Sequence, residues 1–163
     1  MTTTAVPSQK RIEFGGVTPV LRVSNVNLST DYYVHILGFR INFRTPGFVS
    51  VGRGQCSLFL CEGDQGNPGS WVWIDAKDVE ALHEEYRASG AKIRNPPTNY
   101  PWALEMQVED LDGNVLRLGS DPRPNEPTGD WLDMYRNRWS PTKDGGWESG
   151  AQAGIEVRND ERL

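Results

Sequence analysis

The sequence predicts an α+β fold made of two consecutive βαβββ modules with a short C-terminal extension, and three observations carry that prediction. Short segments rich in β-branched and aromatic residues alternate apolar with polar side chains, the period of a strand with one buried face. Two segments, residues 28–37 and 78–88, instead place apolar residues at helical spacing, and each runs into a glycine. The two helix ends, Leu37-Gly38-Phe39-Arg40-Ile41 and Ser89-Gly90-Ala91-Lys92-Ile93, match with Gly38 and Gly90 52 residues apart. Two copies at that interval indicate paired modules, not a solenoid.

The elements follow in order. Residues 1–16 are polar, end in Gly15-Gly16 and read as a flexible arm. Val17 to Val23 is β-branched, and its internal Pro19 confines it to an edge or to the first strand. Leu28 to Leu37 reads as a helix with Asn27 or Ser29 as cap and Gly38 as stop. Phe39 to Arg44 alternates, Thr45-Pro46-Gly47 turns, Phe48 to Val51 starts a further strand, and Gly52-Arg53-Gly54 turns into Cys56 to Cys61. After a loop at 62–69, Trp71 to Ile74 is a strand and Asp78 to Ala88 a helix with Val79, Leu82 and Tyr86 on one face. Strands at Leu104 to Glu109 and Asn114 to Leu118 flank a turn in which Gly113 is free to take positive φ. Residues 17–120 thus read as a single domain of two modules, 17–62 and 70–120. From Asp121 onward Pro, Trp and Gly dominate; residues 130–139 suggest a short helix docked by aromatics, and the chain past Ser140 suggests poor order. The extension 121–163 is therefore expected to be partly ordered.

A net charge of −5, with no Lys/Arg stripe, argues against nucleic acid as a partner. That field suits a cationic small molecule, although mild acidity equally serves solubility. No stretch has the length of a membrane span, and Met1-Thr2-Thr3-Thr4-Ala5 lacks the basic and apolar regions of a signal peptide, so no membrane partner and a cytoplasmic location are expected. Cys56 and Cys61, five apart, fall on opposite faces of a strand and read as small apolar residues, not a disulfide. The two histidines, His35 and His83, read as structural or surface groups.

Trp102 is the most informative candidate. Pro101 fixes its own φ and holds Tyr100 extended, so the indole enters the next strand from a stiff loop. Alternation then places Leu104, Met106 and Val108 on one face and Glu105, Gln107 and Glu109 on the other. A solvated strand is the simpler reading of that second face; if it lines a cleft, Glu105 and Gln107 stand beside Trp102. Six Trp exceed the needs of a core this size. Trp71 and Trp73 share one face of a strand and Phe59 is placed to oppose them, which suits either a large core or a groove for a planar or cationic ligand.

Leu21-Arg22-Val23, Leu37-Gly38-Phe39, Gly90-Ala91 and Leu111-Asp112-Gly113-Asn114 together resemble the vicinal oxygen chelate superfamily of glyoxalases, bleomycin-resistance proteins and extradiol dioxygenases. Pro19-Val20-Leu21, Trp71-Val72-Trp73 and Pro101-Trp102 are most similar to the bleomycin-resistance branch. The resemblance spans Val17 to Gly119 and implies a curved, cleft-bearing sheet built from paired βαβββ modules. It places the family's four metal-ligand positions at Thr18, Phe59, Trp71 and Arg117, a set that offers no credible ligand, since an Arg there repels a cation. No metal, no cofactor and no catalytic residue are therefore expected. It further implies a homodimer that exchanges its N-terminal strand near Pro19 and sequesters a bleomycin-type antibiotic, conferring drug resistance. Phe48 and Trp102 match the aromatic positions that sandwich such a ligand. Phe59, Trp71, Trp73 and Glu105 complete the candidate binding set. The alternative is a metal-free or atypical lyase or isomerase of the same fold with Glu105 as base.

Overall fold

The structure is a computed structural model and describes residues 15–150. Most of the expected arm, residues 1–14, and residues 151–163 of the extension lie outside the described residues. Strand β1 (Val20–Arg22) leads into helix α1 (Val26–Asp31), which widens into a π-helical turn (Tyr32–Ile36). Strands β2 (Arg40–Thr45), β3 (Phe48–Arg53) and β4 (Cys56–Cys61) complete the first module. The second repeats it with β5 (Trp71–Asp75), α2 (Val79–Ser89), β6 (Lys92–Asn99), β7 (Leu104–Glu109) and β8 (Val115–Ser120). Three short strands follow: β9 (Trp131–Leu132), β10 (Arg138–Pro141) and β11 (Trp147–Ser149).

The two modules have one topology. The first sheet has the order β1-β4-β3-β2 and the second β5-β8-β7-β6. In each, the first strand lies parallel to the last, and the remaining three form an antiparallel meander. The fold is thus α+β with paired βαβββ modules, as the sequence predicts, and the extension adds a small third sheet, β11-β10-β9. Leu21, Val49, Leu60, Met106, Leu116 and Tyr33 are among the fully buried side chains of a core shared by both modules.

Four expectations need correction. The first helix starts at Val26, two residues early, because Asn25, not Asn27 or Ser29, accepts the N–H groups of Asn27 and Leu28 at 3.0 Å. Strand β3 runs through Gly52 to Arg53, leaving the turn to Gly54 and Gln55. Residues 130–139 form no helix; they belong to the β9–β10 hairpin, paired through Trp131↔Trp139 and Arg138↔Leu132. Beyond Ser140 the chain turns at residues 142–146 into β11, where the composition suggests poor order. Pro19 does precede an edge strand, and Gly90, at φ 79°, does close the second helix in the left-handed conformation.

Asp110 ties the modules together. It is 1 % exposed and accepts the backbone N–H groups of Asp112 and Asn114, the Asn114 amide and the Tyr33 hydroxyl at 2.8–3.1 Å. Asn114 in turn donates to the Arg22 carbonyl at 3.0 Å, and Ser29 to Asp112 at 3.0 Å. The Leu111–Asn114 turn is therefore a junction between modules as well as a hairpin. Burial raises the Asp110 carboxyl above the ordinary aspartate range even though these donors favour its charge.

Candidate ligand-binding site

The polar face of β7 is not solvated. Glu105 and Gln107 are 0 % exposed, so the simpler reading of that face is overturned. Their burial is compensated by specific partners. Glu105 receives both arms of the Arg117 guanidinium at 2.7 Å and the Trp102 indole N–H at 2.9 Å. Arg117 stands opposite Gln107 on β8, and its guanidinium lies 5.3 Å from the centre of the Trp73 ring. The paired carboxylate raises the Arg117 pKa further above its ordinary value. Trp73 lies across Gly119, where a Cβ would collide with the indole, and donates to Asp75 at 2.7 Å.

The extension covers this face because three side chains of the second module bind its backbone. Tyr100 donates its hydroxyl to the Asp130 carbonyl at 2.9 Å, Gln107 its amide to the Leu132 carbonyl at 3.4 Å, and Arg94 its guanidinium to the Asp133 carbonyl. Arg94, 4 % exposed in its side chain, also donates to Gln107 at 3.1 Å and lies 5.2 Å from the centre of the Trp71 ring. Burial, reinforced by the nearby Arg136 charge, lowers its pKa. Burial pushes the Tyr100 phenol up to about 12, so it remains a donor across the physiological range.

Strand register then decides where the extension's indoles go. Trp131 and Trp139 are direct cross-strand partners, and Trp147 pairs with Pro141, two residues beyond Trp139. All three therefore share one face of the small sheet. The Asp133 carboxylate fixes the connecting turn by accepting the N–H groups of Tyr135 and Asn137 and the Trp139 indole at 2.9–3.1 Å. Arg136 takes a left-handed φ of 66° in that turn.

Where this face meets β7 and β8 it leaves a cavity of about 490 Å³ lined by Trp102, Arg117, Trp131, Trp139 and Trp147. Trp102 stacks on Tyr100 at 4.9 Å and 10°, and Trp147 tilts against it at 5.7 Å. Trp131 tilts against Trp71 at 6.1 Å. A larger cleft of about 1090 Å³ lies between the modules, lined in part by Pro19, Cys56, Trp73, Asp78 and Tyr86. Its wall mixes aliphatic and charged residues, and its three rings, Phe39, Trp73 and Tyr86, make no ring contact with one another, so the smaller cavity, with four indoles, is the better candidate for a planar ligand.

The candidate residues divide into two groups. Trp102, Glu105, Trp71 and Trp73 lie on the second module around Arg117. Phe48 and Phe59 lie on the first sheet, packed with Phe43 at 5.1–6.3 Å. Phe59 packs there, with no ring contact to Trp71 or Trp73 among the described residues, and Phe48 and Trp102 stand on different modules of the chain. Trp131, Trp139 and Trp147 had no place in the sequence-based set. The signal for them is their recurrence at intervals of eight residues, the spacing of a tight β-meander. The positions equivalent to metal ligands do not fit a divalent cation: Phe59 and Trp71 offer no suitable donor, and Arg117 is a cation bound to Glu105.

The family model of the Glyoxalase/Bleomycin resistance protein/Dioxygenase superfamily matches residues 16–118. With both modules and their shared topology, the chain belongs to that superfamily. Among solved structures it is similar to the bleomycin-binding protein from bleomycin-producing Streptomyces verticillus, in complex with copper(II)-bleomycin. Identity is 27 %, the TM-score is 0.60, and the match covers 68 % of this chain and 98 % of that one. It is also similar to TnmS3, an antibiotic binding protein from Streptomyces sp. CB03234, at 25 % identity and TM-score 0.60, covering 69 % and 100 % of the two chains. A glyoxalase/bleomycin resistance protein/dioxygenase from Nocardioides shares the fold at 19 % identity and TM-score 0.56, over 72 % of this chain and 91 % of that one. No curated protein matches the chain. Among the described residues no helix is long and apolar enough to cross a membrane.

Proposed function

We propose that this protein binds and sequesters a planar, antibiotic-type small molecule without transforming it. The observation that carries the reading is the collection of indoles around Arg117, at a position where metal-dependent relatives place a ligand. Recognition by ring stacking and dispersion is the chemistry such a wall supplies. Glu105 is poorly suited to act as a base: both its oxygens are engaged by Arg117 and Trp102, and it has no exposed surface. The similarity to a bleomycin-binding and an antibiotic-binding protein supports the same ligand class.

We further propose a homodimer, with exchange of the N-terminal segment hinged near Pro19 as one route to it. The first sheet supports a partner copy: all six residues of β2 are exposed, among them Ile41 and Phe43, and Phe43 packs beside Phe48. Phe48 takes part in the same site as Trp102 only if a second copy brings it there.

Titration of intrinsic tryptophan emission with bleomycin and with simple planar ring compounds tests the reading. Saturable quenching with one ligand per chain is the expected result. Unchanged emission with every compound at saturating concentration would reject it, and turnover of any bound compound would replace it with the enzymatic alternative.

A further inference from the structure

We propose that the indole-walled cavity is a ligand site complete within a single chain, and that it takes a neutral, planar ring system. This rests on the binding reading above and specifies the site and the ligand chemistry within it.

Shape comes first. Four of the five lining residues are tryptophans contributed by β9, β10, β11 and the Pro101-Trp102 loop. A volume of about 490 Å³ suits a compact fused ring system. Every wall belongs to one chain, because the Tyr100, Gln107 and Arg94 donors hold the extension's backbone on the second sheet.

Charge comes second. Arg117 is the cavity's one charged lining residue, and its guanidinium is already paired with Glu105. The nearby Asp133 carboxylate is occupied by Trp139, Asn137 and Tyr135. A cationic ligand here faces a cation and finds no carboxylate free to pair with it, whereas an anion must compete with Glu105 for Arg117. A neutral ring avoids both costs.

Polarity comes third. Trp102 donates its indole N–H to Glu105 and Trp139 donates to Asp133. The Trp131 indole nitrogen is buried and has no acceptor among the described residues. Buried, it offers no donor to the cavity, and Trp102 and Trp139 have theirs engaged, so ring contact and not hydrogen bonding to these three indoles holds the ligand.

The test compares 9-fluorenone, the same ring system lacking the carbonyl (fluorene) and a planar cation (proflavine), by emission quenching and calorimetry on the full chain. Fluorenone and fluorene should bind within about threefold of each other, because the ring itself is what the indoles recognise, and proflavine more weakly than either. Trp139→Ala and Trp147→Ala should weaken both about ten- to a hundredfold, and Phe48→Ala should change neither. Tightest binding of proflavine overturns the ligand assignment. Weakening by Phe48→Ala with no effect of Trp139→Ala overturns the single-chain site while leaving sequestration intact. Failure of these compounds and of bleomycin to bind overturns both readings.

Discussion

Glu105 has no exposed surface, and both its oxygens are committed to the Arg117 guanidinium and the Trp102 indole N–H. Removing its charge leaves the Arg117 guanidinium, 26 % exposed, with neither of its close acceptors fully charged. Glu105→Gln should therefore destabilise the fold by about 3 kcal/mol, the typical cost of breaking a largely buried ion pair. Urea denaturation measures this directly. Replacing both partners, Glu105→Leu with Arg117→Leu, should recover much of that loss, because no charge is then stranded. A double replacement as destabilised as the single one would show that the pair is not the source of the effect. The alternation that puts Glu105 opposite Leu104 and Met106 was legible in the sequence; its burial was not. Period-2 patterning separates the two faces of a strand but cannot say what covers the polar one, and here the cover comes from residues 130–149, more than twenty positions away.

Strands β9–β11 show the same limit at the level of an element. Two to four residues per strand are too few for alternation to register, and the Trp131–Trp139 segment also satisfies a helical spacing. Docking decides the outcome: the Asp130, Leu132 and Asp133 carbonyls are bound by side chains of the second module, which an amphipathic helix could not satisfy in that order. The long modules were legible because their helices carry strong signals, Asp78 capping α2 and Gly90 closing it. Charge fastens the extension further. Glu109 pairs with Arg136 of the β9–β10 turn as well as with Lys92 and Arg94. Burial works against its ionisation, but Lys92 first and then the two arginines outweigh it and hold its carboxyl below the ordinary glutamate value. A lowered native pKa contributes stability that is present above the unfolded value, about 4.3, and lost as pH falls through the native one. Asp133 and Asp130 shift in the same direction: burial opposes ionisation of Asp133 but its hydrogen bonds outweigh it, and Arg138 lowers Asp130. Protection of the backbone amides at residues 130–149, taken relative to the intrinsic exchange rate at each pH, should thus be unchanged from pH 8 to 5 and decrease below about pH 4. Glu109→Gln should speed exchange already at pH 7 and flatten part of that acid step; acid opening identical to that of the parent would remove Glu109 from the latch.

At the scale of the whole molecule, the two modules share a topology but end up with different faces. The second sheet's polar face carries the extension, whereas β2 of the first sheet has six exposed residues and displays Ile41 at 45 % and Phe43 at 48 %. An uncovered aromatic edge on an otherwise well-packed domain is a place for a partner, and a second copy of the chain is the proposed one. Phe43 packs only against Phe48 and Phe59 among aromatic rings, so replacing it at the surface leaves the core alone. Sedimentation equilibrium should give a dimer for the parent chain and a monomer for Phe43→Asp, with far-ultraviolet circular dichroism unchanged. The indole cavity is walled by one chain alone, so the monomeric variant should still quench with 9-fluorenone at the parent affinity. Loss of binding together with dimerisation would mean that the ligand is held between subunits, with Phe48 and not the extension as its second wall. A parent chain that sediments as a monomer would leave the exposed face of β2 without its proposed partner and confine the functional surface to the side where the extension meets Trp102.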